Sequence, residues 1–134
     1  MGERENTKLV QQAYQHFKGG DIQGFLESLS EDVEWTFFEI EGVPFSGTHR
    51  GLEGVGQFFS QVFETEEPLH FEPREFVAQG EKVVALGDYA WRVKSTGRVY
   101  ETNFVHVITL REGKIARFQE FADTAKVGSA YRGS

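Results

Sequence analysis

The sequence lacks cysteine, and it has only three prolines, one methionine and no long apolar run. Without cysteine the chain can form neither a disulfide nor a thiolate metal site, so its 134 residues must be held together by their core. The prolines, Pro44, Pro68 and Pro73, are expected in connections between elements. No stretch approaches the roughly 18 apolar residues of a membrane-spanning helix, so we expect no membrane partner.

Positive charge is also scarce. The 14 lysines and arginines are scattered and are outnumbered by 21 acidic residues, which gives a net charge of −7. Nucleic-acid-binding proteins need a clustered basic face, so no nucleic-acid partner is expected. Residues 1–5 are polar and contain no apolar signal core, which together with the missing cysteine predicts a cytoplasmic protein.

Motifs for metals and cofactors are missing too. Histidine pairs at metal-ligand spacing do not occur, and the glycines of residues 51–56 open a helix after a loop, which is the wrong context for a phosphate-binding turn. We therefore expect no cofactor and no metal. The acidic residues at 64–67 are interpreted as a solvated loop.

Aromatic residues, by contrast, are abundant. Thirteen phenylalanines, four tyrosines and two tryptophans are many for a chain of this length. Some must fill the core, and a surplus would line an apolar cavity for a small, apolar molecule.

The first half of the chain shows helical periodicity. Apolar residues three and four apart predict helices over residues 7–18, 21–29 and 52–63. Asn6 or Thr7 would cap the first helix and Asp21 the second. A strand is predicted over residues 33–40, followed by a glycine-rich loop that reaches Gly51.

The second half reads as strands. Residues 69–79 form one strand, and a meander of three more is predicted over residues 82–95, 98–110 and 114–123. Helices first and antiparallel strands after predict an α+β fold, in which a curved antiparallel sheet wraps around three N-terminal helices as a cone with an internal cavity. We expect residues 1–134 to form a single domain.

The turn at Arg111-Glu112-Gly113 decides which side chains face the cavity, because a shift of one residue reverses a strand face. A three-residue loop with Gly113 at positive φ would place Leu110 opposite Lys114 and turn His106 and Glu120 to the same face. A two-residue turn would instead place His106 opposite Gln119 and send Glu120 to the other face. We favour the three-residue loop.

A two-residue turn at Thr96-Gly97 would set Tyr89 opposite Phe104 and Trp91 opposite Thr102. The inner face of the meander then holds two ionisable residues among aromatic ones: Tyr89, Trp91, Phe104, His106, Phe118 and Glu120. The outer face carries small, aliphatic and polar residues that suit a sheet-to-sheet homodimer contact: Asp88, Ala90, Arg92, Val105, Val107 and Gln119.

Four short motifs carry a resemblance to a known family. They are Asp21-Ile22 followed by Gly24 and Leu26, and the segments 32–35, 45–51 and 112–115. With them the chain resembles the nuclear-transport-factor-2-like superfamily over nearly its whole length, and it looks most similar to the SnoaL-like and ketosteroid-isomerase-related bacterial proteins. The resemblance implies a cystatin-like α+β barrel, a cone-shaped fold that is often dimeric through its sheet.

The resemblance also implies candidate activities. The positions that match the tyrosine and the two aspartates of steroid isomerases read Ala13, Phe37 and His106, so steroid isomerisation itself is not expected. Polyketide cyclases use a buried acid with a nearby histidine, and Glu120 with His106 resembles that pair. Cyclase- or isomerase-type chemistry is therefore what the resemblance implies.

We hypothesise that Glu120 is a general base, His106 the acid or oxyanion donor, and Tyr89 a second donor. The predicted ligand-binding residues are aromatic wall positions and two loop residues at the cavity mouth: Trp35, Phe37, His49, Arg50, Phe58, Phe59, Trp91, Phe104 and Phe118. Each has a structural alternative, such as a core histidine, an outward-facing glutamate, or an arginine that braces its loop. A non-catalytic binder of an apolar ligand, an interaction domain and a dimer with a filled core remain open alternatives to an enzyme.

Overall fold

A computed structural model describes residues 2–132, and within them the chain forms an α+β fold of six strands and four helices. The helices are α1 (Glu3–Lys18), α2 (Ile22–Glu27), α3 (Gly51–Thr65) and α4 (Thr124–Tyr131). The strands are β1 (Leu29–Phe37), β2 (Gly47–Arg50), β3 (Glu66–Gln79), β4 (Lys82–Val93), β5 (Val99–Arg111) and β6 (Lys114–Ala122). The predicted fold class is confirmed, with α4 and β2 as additions.

The six strands make one curved, unclosed sheet in the order β2-β1-β6-β5-β4-β3. Neighbouring strands are antiparallel except β1 and β6, which run parallel. Helices α1, α2 and α3 cover the concave face, where most of the buried apolar residues lie. The site described below therefore sits between the sheet and these helices.

Helix α1 begins four residues earlier than predicted. Its N-cap is Gly2, whose backbone N–H donates to the Glu5 carboxylate at 3.3 Å, rather than Asn6 or Thr7. Asn6 lies inside the helix and is buried. Because Val10, Ala13 and Tyr14 are buried on one side, the predicted apolar stripe does face the sheet.

Strand β1 also starts early, at Leu29, where the polar residues 30–32 had predicted a break. Leu29 pairs with Ile115 of β6, and the pairing is irregular between Leu29 and Glu34, so the strand tolerates the polar segment. Strand β2 occupies the end of the predicted loop and pairs with β1 at the sheet edge, where Thr48 lies opposite Thr36.

The predicted length of the loop between β5 and β6 is wrong, but the prediction that His106 and Glu120 share a face is right. The turn has two residues, Glu112 and Gly113, both with positive φ, and Arg111 lies opposite Lys114. Ala116 is then an extra residue on β6, because Leu110 faces Ile115 while Thr109 faces Arg117. The extra residue shifts the pairing of β6 with β5 by one position, which has the same effect on the strand faces as one more residue in the turn. His106 therefore lies directly opposite Glu120 on the same face.

The connection between β4 and β5 is longer than the predicted two-residue turn. Val93 and Arg98 are joined by a backbone hydrogen bond of 2.8 Å, which leaves the four residues 94–97 as the loop. Within this loop the Thr96 hydroxyl accepts from the Arg98 backbone N–H at 3.1 Å and donates to the Ala130 carbonyl of α4 at 2.6 Å. Tyr89 therefore lies opposite Thr102, two residues from the predicted partner, and the faces are unchanged.

The acidic segment 64–67 is not a solvated loop. Residues 64 and 65 end α3, and Glu66 and Glu67 begin β3. Glu67 is exposed and pairs with Arg92, but Glu66 has only 1% of its surface exposed. The pattern failed because Glu66 is held by hydrogen bonds from Tyr100 and Tyr131, which are distant in the sequence.

None of the helices in residues 2–132 is both long enough and apolar enough to cross a membrane.

Candidate active site

The centre of the site is a histidine–glutamate pair on neighbouring strands. His106 on β5 and Glu120 on β6 are register partners, and His106 Nε2 lies 3.0 Å from Glu120 Oε1. The His106 side chain is 3% exposed and the Glu120 side chain 13%. The prediction that these two groups share the inner face is confirmed.

Two tyrosines extend this pair from other elements. Tyr89 on β4 donates its hydroxyl to Glu120 Oε2 at 2.6 Å. Tyr14 on α1 lies with its hydroxyl 2.6 Å from His106 Nδ1. The set is fully satisfied when Tyr14 donates to Nδ1 and Nε2–H donates to Glu120, so the carboxylate accepts from His106 and Tyr89 while Tyr14 supports the imidazole from behind.

Burial keeps both tyrosines protonated. It raises the pKa of Tyr14 and of Tyr89 well above the ordinary value, and the nearby Glu120 charge raises both further. Near neutral pH these phenols are therefore hydrogen-bond donors rather than phenolates. Tyr14 is buried together with its neighbour Ala13, on the side of α1 that faces the sheet.

An apolar cavity lies in front of these polar groups. It has about 70 Å³ of space open to a water-sized sphere. Its wall is contributed by α1, α2, α3 and the inner sheet face: Tyr14, Phe17, Phe25, Trp35, Phe37, Phe45, Phe58, Phe59, Val62, Glu66, Phe71, Tyr89, Trp91, Tyr100, His106, Phe118 and Glu120. This volume is enough for a few water molecules.

The structure places most of the predicted ligand-binding residues on this wall. Six of them line it: Trp35, Phe37, Phe58, Phe59, Trp91 and Phe118. Trp35 and Phe118 stack face to face with ring centroids 3.7 Å apart, which fixes one side of the cavity. The indole Nε1–H of Trp35 is buried and has no hydrogen-bond partner within residues 2–132.

Three predicted ligand-binding residues lie off the wall. His49 Nε2 is 2.7 Å from the Phe45 carbonyl and braces the loop before β2, while exposed Arg50 of β2 pairs with Glu34 of β1 at 3.1 Å, so both have structural roles. Phe104 lies behind the wall, with its ring 4.2 Å from the ring of His106. Phe104 thereby holds the imidazole in place by packing.

A second polar cluster borders the same cavity, and the sequence did not suggest it. Tyr100 on β5 donates to Glu66 Oε1 at 2.5 Å, and Tyr131 on α4 donates to Glu66 Oε2. Burial raises the pKa of Glu66 to about 7, against the opposing effect of the two phenol hydrogen bonds. Tyr100 could have been found from the sequence, since it has the same strand parity as His106.

The fold and the site together define a class: a cone-shaped α+β protein with an apolar cavity that carries ionisable residues. The model of the SnoaL-like domain matches residues 10–118, and the chain belongs to this family, within the nuclear-transport-factor-2-like superfamily. No curated protein matches the sequence.

Solved structures agree with this assignment. A nuclear-transport-factor-2-like protein from Burkholderia xenovorans LB400 has 36% sequence identity and a TM-score of 0.87, with 98% of this chain and 99% of that chain covered. TerC, co-crystallised with polyporic acid, has 29% identity and a TM-score of 0.82, with 95% and 98% covered. A candidate SnoaL-like polyketide cyclase from Mesorhizobium loti shares the fold at 18% identity and a TM-score of 0.72, with 86% and 97% covered.

Proposed function

We propose that this protein is an isomerase- or cyclase-type enzyme that moves a proton on a small, largely apolar carbonyl compound by acid–base catalysis. The observation that carries the proposal is the Glu120 carboxylate, which accepts hydrogen bonds from His106 and Tyr89 at the wall of an aromatic cavity. A carboxylate withdrawn from water is costly and is retained where it has a use, which here is proton abstraction.

In the first step Glu120 removes a proton from the carbon next to the carbonyl group. The C–H electron pair becomes a C=C bond, and the carbonyl π pair moves to oxygen to give an enolate. Glu120 is then neutral, so Nε2–H of His106 and the Tyr89 hydroxyl lose the charge that they faced. Both donors can shift to the enolate oxygen, where the negative charge now lies.

The second step decides the outcome. In an isomerase, protonated Glu120 returns the proton to another carbon of the conjugated enolate. In a cyclase, the enolate carbon attacks a second carbonyl carbon of the same molecule, and the new alkoxide takes the proton from Glu120. Both routes return the carboxylate to its ionised form, and neither needs a co-reactant.

Membership of the SnoaL-like family and the likeness to a candidate polyketide cyclase support this class of reaction. The alternative is a non-catalytic binder of an apolar ligand. That alternative would be favoured by a cavity with a satisfied histidine and no carboxylate within reach, whereas here Glu120 lies 3.0 Å from His106. Polyporic acid, the compound in the TerC crystals, is a first ligand to try.

The functional unit in this proposal is a homodimer joined through the outer faces of two sheets. Val105, Val107 and Leu86 are half-buried on that face, and Phe121 contacts the exposed Phe38 with ring centroids 4.8 Å apart. An apolar face of this kind suits a twofold contact between identical sheets.

The test begins with carbon–hydrogen exchange. Tetralone, benzylacetone and any compound released from the native protein are incubated with it in D₂O, and mass spectrometry counts the deuterium that enters next to the carbonyl group. We expect catalysed exchange, and Glu120→Gln should lower its rate by about 10²- to 10⁴-fold. Glu101→Gln, the same change at an exposed site on β5, should leave the rate unaltered.

Thermal unfolding of both variants ensures that folded proteins are compared. If folded Glu120→Gln exchanges a compound as fast as the wild type does, Glu120 is not the base. If the wild type binds a released compound but catalyses no exchange, the non-catalytic alternative holds.

A further inference from the structure

Glu66 is the one carboxylate of the cavity wall that the mechanism above leaves unused. It is the first residue of β3, where the chain leaves α3, and it is almost completely buried. Its two oxygens accept hydrogen bonds from Tyr100 and Tyr131, and no ion pair with a lysine, arginine or histidine is found for it in residues 2–132. Burying a carboxyl group without an ion-pair partner costs desolvation free energy, which is more than a purely structural link between two elements requires.

Glu66 and Glu120 lie along the same inner face, joined by two tyrosines. Tyr89 donates to Glu120 and Tyr100 donates to Glu66, and the two phenol rings meet edge to face with centroids 6.1 Å apart. All four side chains border the cavity. The cavity therefore has a polar row along the sheet and aromatic side chains from the helices around it.

Glu66 retains hydrogen-bonding capacity toward the cavity. A carboxylate has about four acceptor positions, and the two phenols use one on each oxygen. Since burial raises the pKa of this group to about 7, both its ionised and its protonated form are populated near neutral pH. A ligand hydroxyl can donate to the first form and accept from the second, which an apolar wall could not offer.

We propose that Glu66 is a second ligand-binding group of this cavity, and that the substrate is a hydroxylated aromatic carbonyl compound. Its carbonyl group lies at Glu120 and His106, and its hydroxyl group lies at Glu66 and Tyr100. The inference rests on the proposed function, because it takes the cavity to be a carbonyl-binding site. It adds a specificity-determining residue and a substrate class to that function.

The experiment measures a preference within matched pairs of ligands. Tetralone is compared with hydroxytetralone, and benzylacetone with its para-hydroxy derivative, by quenching of the fluorescence of the two tryptophans, both of which line the cavity. In at least one of the two pairs, we expect the wild type to bind the hydroxylated ketone about tenfold more tightly than the ketone without the hydroxyl group. One charge-assisted hydrogen bond would give a difference of this size. Glu66→Gln should abolish this preference and leave the affinity for the unhydroxylated ketones within about twofold.

Two controls separate ligand binding from a structural tie. Tyr131→Phe removes the bond between Glu66 and α4 but does not alter the cavity wall, so it should keep the preference. Glu67→Gln makes the same substitution at the exposed neighbouring residue and should also keep it. Should Glu66→Gln fail to fold, Tyr100→Phe removes one hydroxyl from the same end of the cavity and should reduce the preference.

Each outcome is decisive. Equal binding of both members by the wild type, a preference that persists in folded Glu66→Gln, or a preference that Tyr131→Phe also abolishes would overturn the role of Glu66 while leaving the proposed function intact. If none of these four ketones binds the wild-type protein, the result would count against the carbonyl-binding cavity, and so against the proposed function itself.

Discussion

Glu120 and Glu66 are the same residue type at the wall of the same cavity, but their surroundings differ. Glu120 accepts from an imidazole and a phenol and keeps 13% of its side-chain surface exposed. Glu66 accepts from two phenols, is 1% exposed and has a pKa raised to about 7 by burial. This difference suits the two roles proposed here, with one group that abstracts a proton and one that recognises a hydroxyl.

The raised pKa of Glu66 makes a prediction about stability. Below about pH 4.5 the carboxyl is protonated in both the folded and the unfolded chain and contributes nothing to the pH dependence. Between about 4.5 and 7 the unfolded chain loses this proton while the folded chain keeps it, so stability falls as the pH rises. The full loss corresponds to about 3 kcal/mol.

Glu66→Gln removes this titration, so the difference in unfolding free energy between variant and wild type isolates it. Measured by urea denaturation from pH 4.5 to 8, the variant should gain about 3 kcal/mol on the wild type as the pH rises. Glu67→Gln, the same substitution at the exposed neighbouring residue, serves as the control. A flat difference for Glu66→Gln would mean that Glu66 ionises in the folded protein as readily as in the unfolded chain.

The sequence indicated Glu120 more readily than Glu66 for a physical reason. Glu120 lies two residues from the apolar Phe118 in a predicted hairpin strand, so a register that turns Phe118 inward turns Glu120 inward with it. Glu66 lies in an acidic segment, and its hydrogen-bond partner Tyr131 is 65 residues away in the chain. A contact of that range leaves no local pattern to read.

At the scale of elements, the β5–β6 hairpin decides whether the site exists. The sequence predicted a three-residue loop, whereas the hairpin has a two-residue turn and a bulge at Ala116. One extra residue in the strand reverses the faces just as one extra residue in the loop would, so His106 and Glu120 were correctly placed on one face. Their exact partners were missed by two residues, because a bulge has no strong sequence signature.

The backbone conformation of Glu112 in this turn is unfavourable for glutamate, and a substitution can remove that strain. Its φ is 51°, a left-handed conformation that disfavours glutamate and suits asparagine before glycine. Glu112→Asn should therefore stabilise the protein by about 1 kcal/mol in urea denaturation and leave the site unchanged.

The control is the same substitution at Glu81, in the two-residue turn between β3 and β4, where only Gly80 has positive φ. Glu81→Asn should give no comparable gain. If the two variants shift the unfolding midpoint equally, the left-handed conformation of Glu112 is not the source of the effect.

At the scale of the whole molecule, the periodicity of helices and strands was sufficient to predict the cone. Helices α1 and α3 and the strands from β3 to β6 follow apolar patterns that persist over many residues, and the structure confirms each of them. The short edge strand β2 and the eight-residue helix α4 were missed or left undefined, because their stability comes from pairing with β1 and from packing on β5. Short elements of this kind are set by tertiary contacts rather than by their own sequence.

The outer sheet face carries the last prediction, which concerns assembly. Leu86 lies half-buried in the middle of that face, opposite Val105, which in turn lies opposite Phe121. If two sheets pack there, a glutamate at position 86 would bring a charge into an apolar contact, and we expect Leu86→Glu to weaken dimerisation by at least about 100-fold. Light scattering should then give the 15.2 kDa of one chain for the variant and twice that mass for the wild type.

Leu52→Glu, a matched change on the exposed side of α3, should remain dimeric. A wild-type protein that is monomeric at micromolar concentration, or a Leu86→Glu variant that stays dimeric, would exclude this face as the interface.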